Sequence, residues 1–221
     1  MTEEMGLSWV AAQCDDLENL PVEELDCLAE RGPVEAMLRV AERSVTALPH
    51  PAAVRLGQDV RCLLESSLPD ATIRTVWLGA TDHVFDPAKD GISARTWLRK
   101  MEQAWLKAEH RNDPAFVSIT AAPKTDDRLR RDVLQAIGRV SGDLTGTVVN
   151  RIYPLPLPGL VPALEQVTVR ACADLGYRLV LCALKANYVA VDTETLDMFV
   201  ALGNRFDHPR ALVTEGLNHR A

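Results

Sequence analysis

Residues Gly146–Leu184 read GTVVNRIYPLPLPGLVPALEQVTVRACADLGYRLVLCAL. A short run rich in β-branched residues, Gly146 to Ile152, predicts a strand. A proline-punctuated turn follows from Pro154 to Pro158. Leu160, Leu164, Val167, Ala171 and Leu175 then recur at the spacing of a buried helical stripe. Gly176 stands where a helix C-cap glycine is expected, and Arg178 to Leu184 is a second apolar run. Strand, crossover helix and strand make a βαβ unit, whose two strands are expected to be parallel.

Working outward, the same alternation is predicted from residue 71 onward. Expected strands are Thr72 to Gly79, Phe116 to Ala121, Gly146 to Ile152, Arg178 to Leu184 and Arg210 to Thr214. Expected helices lie between them. One is opened by Ser93 and buries Trp97, Leu98, Met101 and Trp105. Another runs from Asp126 to Val140, and a third from Glu194 to Leu202. Lys185 to Val191 reads as a loop or a further short strand, and the tail from Glu215 as loose. The expected fold class is therefore α/β, a mostly parallel sheet of about five strands with flanking helices. The first 70 residues differ. Pro21, Pro33 and the Pro49-His50-Pro51 break punctuate three short helical patterns. The predicted organisation is a helical N-terminal segment, residues 1–70, followed by an α/β domain, residues 71–221.

Composition is that of a globular chain of 221 residues, 47% hydrophobic and 25% charged. No apolar run is long enough for a membrane span, and the acidic N-terminus is unlike a secretory signal, so a cytoplasmic protein is expected. Charge is uneven: residues 1–70 hold 14 acidic side chains against 5 basic. That balance disfavours nucleic acid as a partner of this part. The five cysteines, Cys14, Cys27, Cys62, Cys172 and Cys182, show no zinc spacing and read as reduced thiols packed as small hydrophobes.

The chain carries no G-x-x-x-x-G-K-[ST] loop, no G-x-G-x-x-G after a predicted strand, no G-x-S-x-G and no H-E-x-x-H. No cofactor and no metal site is expected from these motifs. In a parallel sheet, ligands bind beyond the carboxyl ends of the strands. The loops expected there offer Asp82 and His83 as an acid–base pair, with Lys124, Asn150, Arg151 and Lys185 as ligand-binding groups. The Pro154–Pro158 strip presents Leu155 and Leu157 in a polyproline-favouring run, suited to docking a partner or a second copy of the chain. The favoured functional expectation is an accessory or regulatory protein acting by protein–protein interaction. The alternative is an enzyme or small-molecule-binding protein using the strand-end site.

Overall fold

The computed structural model describes residues 4–15, 20–117, 126–149, 157 and 159–220. Among these the chain is helical, and the expected α/β fold is corrected. The helices are α1 (Gly6–Asp15), α2 (Val22–Arg31), α3 (Pro33–Ala47), α4 (His50–Glu65), α5 (Asp70–Ala80), α6 (Ala94–Asn112), α7 (Asp127–Val149), α8 (Leu160–Arg170), α9 (Ala173–Ala186), α10 (Thr193–Arg205) and α11 (Arg210–Thr214). The described strands are two residues each, β1 (Ala190–Val191) and β2 (Asn218–His219). They pair in parallel, with Ala190 opposite Asn218 and Val191 opposite His219. Residues 218–219, expected in a loose tail, thus form a rung of this ladder.

Each misread strand has a physical reason. Thr72–Gly79 lies inside α5. Its β-branched residues suggested a strand, yet Ile73, Val76, Trp77 and Ala80, among its buried residues, follow a helical period, and Leu78 and Gly79 beside them are buried as well. Pro69 precedes this helix and Asp70 stands in its first turn, both favourable at an N-terminus. Gly146–Val149 is the last turn of α7; residues 150–152 lie outside the described set. Arg210–Thr214 is α11, entered from Pro209. Phe116 and Val117 are not in a strand, and residues 118–121 lie outside the described set.

The decisive case is Arg178–Leu184. This apolar run belongs to the middle of α9, where all residues but Lys185 are buried. A helix that is hydrophobic all round sits in the centre of a helical body. Indeed α9 packs against α1, α5, α7 and α8. The predicted single helix through Leu175 breaks instead at Ala171 and Cys172, whose N–H groups both donate to Val167 O, at 3.0 and 3.1 Å. Gly176, the expected cap, is interior to α9. A Cβ there would stand 2.2 Å from Thr168 Oγ1 and 3.0 Å from Thr168 Cα, so its bare backbone is what lets α8 and α9 cross so closely.

One apolar core joins both halves of the chain, from Leu7 to Val213. α3 packs on α2, α4 and α6, while α4 packs on α1 and α6. The α6 face holds Trp97, Leu98, Met101 and Trp105 inside, and Ser93 Oγ accepts from Thr96 N as its cap. No helix among the described residues is long and apolar enough to cross a membrane.

Candidate functional site

The polar residues that the fold gathers lie along the seam between α4 and the start of α9. Arg55, Asp59 and Cys62 are spaced i, i+4 and i+7 on α4, so they share one face. Opposite them stand Cys172, the residue capping α9, then Asp174 in its first turn, and Arg178 one turn on.

Arg178 is wholly buried. Its Nη1 and Nη2 donate to Asp59 Oδ2 and Oδ1 at 2.8 and 2.6 Å, a bidentate pair. Nε and Nη2 also reach Asp174 Oδ2, both at 3.2 Å, and Nη1 donates to Met5 O at 3.2 Å. Arg55 and His208 close on the same Asp174 carboxylate. Asp59 further accepts the Leu7 N–H at 3.0 Å, so it satisfies an orphan donor at the start of α1. That approach needs Gly6, which has φ +60 and where a Cβ would lie 2.2 Å from Asp59 Oδ2.

Two carboxylates thus face two guanidinium groups and one imidazole. Burial pushes the Asp174 pKa up, but Arg178, His208 and Arg55 outweigh it, and the net lies far below the ordinary carboxylate range. Burial opposes the Arg178 charge in the same way, and Asp59 and Asp174 overcome it. His208 also stacks on Tyr177, at 6.0 Å and 7° between ring planes, and Tyr177 Oη donates to Phe199 O at 2.7 Å. The cluster therefore ties α1, α4 and α9 to the segment that follows α10. Every member named here has a partner within the chain, which makes the cluster a fastening rather than an open binding site.

At the outer end of the seam sit the two half-buried thiols of Cys62 and Cys172, near enough for each to perturb the other's ionisation. The Cys62 thiol beside it lowers the Cys172 pKa to about 7, against burial and the nearby charges of Asp174 and Asp59. The same proximity, with burial and nearby Asp59, drives Cys62 upward. The expectation that all five cysteines are inert packing groups does not cover this pair.

The predicted site residues fall elsewhere. Asp82 and His83 form the left-handed turn closing α5, with φ 47 and 62, and His83 N donates to Leu78 O at 3.0 Å. Lys185 belongs to α9, and its Nζ is held by Glu4 Oε1 at 2.6 Å and Leu212 O at 2.7 Å. Leu157 is half-buried and packs on the core. Lys124, Asn150, Arg151 and Leu155 lie outside the described residues. Among the described residues there is no five-stranded sheet whose carboxyl ends would gather these groups.

A second feature is an open cleft of about 480 Å³ between α2, α3 and α6. Its charged walls are Glu23, Glu24, Arg39, Glu42, Arg43 and Arg111. Arg43 donates to Glu24 at 2.6 Å and to Gln13 at 2.7 Å, and Arg111 to Glu42 at 2.9 Å. α2 forms one flank and is held chiefly by α3. It turns Val22 and Leu25 outward, 70% and 37% exposed and one turn apart.

Glu109, on α6, is buried and its carboxyl oxygens accept no hydrogen bond among the described residues. The Trp105 indole N–H beside it is committed to Ala53 O at 3.1 Å. Burial raises the Glu109 pKa against the opposing pull of His50. The unfolded chain therefore releases this proton first, and stability falls as pH climbs above about 4.3, the ordinary glutamate value. Glu109→Gln is accordingly expected to raise the melting temperature at pH 8 and leave it unchanged near pH 4. An equal gain at both pH values would show that ionisation is not the cause.

The chain matches no known protein family, no curated protein and no solved structure.

Proposed function

We propose that this chain is an accessory protein that acts by binding another protein, and that the α2 flank of the charged cleft is the contact surface. The observation that carries this reading is the outward placement of Val22 and Leu25 on a peripheral helix. Apolar side chains one turn apart on a helix, rimmed by charge, are the pattern of a helix that docks. Around them Glu23, Asp26 and Glu30 are exposed. Acidic groups also dominate the whole segment 1–70. The partner this surface fits is a basic segment with apolar anchors: charge steers the encounter and the anchors hold it.

The reading is tested by affinity capture from the native host. Wild type is compared with Val22→Asp/Leu25→Asp and with Val169→Asp, a substitution at another exposed valine, on α8. The expected result is a stoichiometric partner retained by wild type and Val169→Asp, lost by the α2 double variant, and weakened by salt. A partner held equally by all three proteins, or no partner at all, overturns the α2 surface.

A further inference from the structure

The Cys62–Cys172 pair invites a different reading from that of the α2 surface. The two residues are 110 positions apart in sequence, yet the fold brings their thiols into interaction range at the α4–α9 seam, next to the Asp59–Arg178–Asp174 hydrogen bonds. Both are partly exposed, whereas Cys14, Cys27 and Cys182 are buried. A thiol beside a second thiol, and open to solvent, has the access that oxidation to a disulfide requires. The surroundings distinguish the two roles. Cys172 caps α9, where the helix N-terminus favours an anion, and Arg178 lies one turn and a half further along. Asp59 disfavours an anion at both sulfurs, with Asp174 adding to it at Cys172 and Glu65 at Cys62, so the helix N-terminus and Arg178 are what set Cys172 apart. The low Cys172 pKa agrees with this division.

We propose that Cys62 and Cys172 are a peroxide-oxidisable thiol pair, with Cys172 attacking and Cys62 resolving. The Cys172 thiolate attacks the terminal oxygen of a hydroperoxide. The O–O bond breaks, the alkoxide leaves and takes up a proton as the alcohol, and Cys172 becomes a sulfenic acid. Cys62 then gives up its proton and attacks that sulfur. The S–S bond forms, the S–O bond breaks, and the departing hydroxide is protonated to water. Two thiols are oxidised by two electrons and one peroxide bond is reduced. The disulfide joins α4 to the start of α9 immediately beside the Asp59–Arg178–Asp174 cluster, so oxidation clamps a seam that already organises the fold.

The test is direct because trypsin isolates each cysteine: cleavage after Arg61, Arg74, Arg170 and Arg178 gives peptides 62–74 and 171–178, with one cysteine each. The full-length protein is exposed to a small excess of hydrogen peroxide, alkylated, digested without reductant and weighed. The expected result is a linked 62–74/171–178 pair lighter by two hydrogens than its parts, lost on treatment with dithiothreitol. In Cys62→Ser the expected product is a Cys172 sulfenic acid, trapped by a dimedone-type probe. Linkage through any other cysteine, or alkylation of both thiols after oxidation, overturns the proposal. So does trapping on Cys62 in Cys172→Ser as fast as trapping on Cys172 in Cys62→Ser. The wild-type digest needs no variant to fold, and its outcome is independent of the α2 surface.

Discussion

Arg178→Ala is expected to destabilise the protein by about 3–5 kcal/mol, because it leaves two buried carboxylates without their shared cation. For a chain of this size that loss lowers the melting temperature by roughly 10 °C. Asp59 loses its bidentate partner, and Met5 O and Ser8 lose contacts that hold the start of α1. Arg55 compensates poorly: it is partly solvent-exposed and only 3.8 Å from Asp59. Arg178→Lys is expected to recover only part of the loss, since a single ammonium cannot reproduce the fork on Asp59 while also reaching Asp174. Adding Asp59→Asn and Asp174→Asn to Arg178→Met should restore much of the stability, because no unpaired charge then remains buried. Thermal melts of this series decide the matter. A loss below about 1 kcal/mol for Arg178→Ala would place the cluster in a well-hydrated setting, where ion pairs contribute that little.

The second large effect is expected at Gly176. Gly176→Val places a branched side chain where Thr168 Oγ1 and Cα already stand, and α8 must move off α9. Overpacking of this kind costs roughly 3 kcal/mol. Thr168→Ala in the same protein removes the nearest atom and is expected to return part of the loss, a coupling that chemical denaturation of the single and double variants measures. Additive effects would mean that the two helices are not in contact at this point.

Both predictions concern α9, and α9 is where reading the sequence alone went astray. The six apolar residues from Leu179 to Leu184 fit a buried strand as well as a buried helix, because neither has a polar face to reveal its period. Length was the available discriminator: the mostly apolar stretch from Ala173 to Ala186, interrupted by Asp174, Arg178 and Lys185, is 14 residues long, which is helical length. In Thr72–Gly79 the β-branched composition outweighed the helical spacing of Ile73, Val76, Trp77 and Ala80, although the spacing was the better guide. Where one face is buried and the other wet the sequence was readable, as in α6 with its Ser93 cap and its Trp97–Trp105 stripe. The charge cluster had one local signal, Asp174 and Arg178 set i, i+4 inside an otherwise mostly apolar helix, where unpaired charge does not survive burial. Their partners Asp59, Arg55 and His208 come from elsewhere in the chain, and nothing local pairs Cys62 with Cys172. Those contacts arise from the way α4 and α9 both pack on α1. The expected strand-end site had the opposite fault: Asp82 and His83 shape the turn after α5, Lys185 is tied to Glu4 and Leu212, and the sheet meant to assemble them is absent among the described residues.

Hydrogen exchange of the native protein, resolved along the chain, tests the organisation around α9 most directly. Amides from Tyr177 to Leu184 are expected to exchange only through global unfolding, at the rate of the most protected residues in α3 and α6. In Arg178→Ala that protection should fall together with that of α1 and α4. Exchange of the α9 amides well ahead of α3 and α6 in the wild-type protein would contradict a body built around this helix.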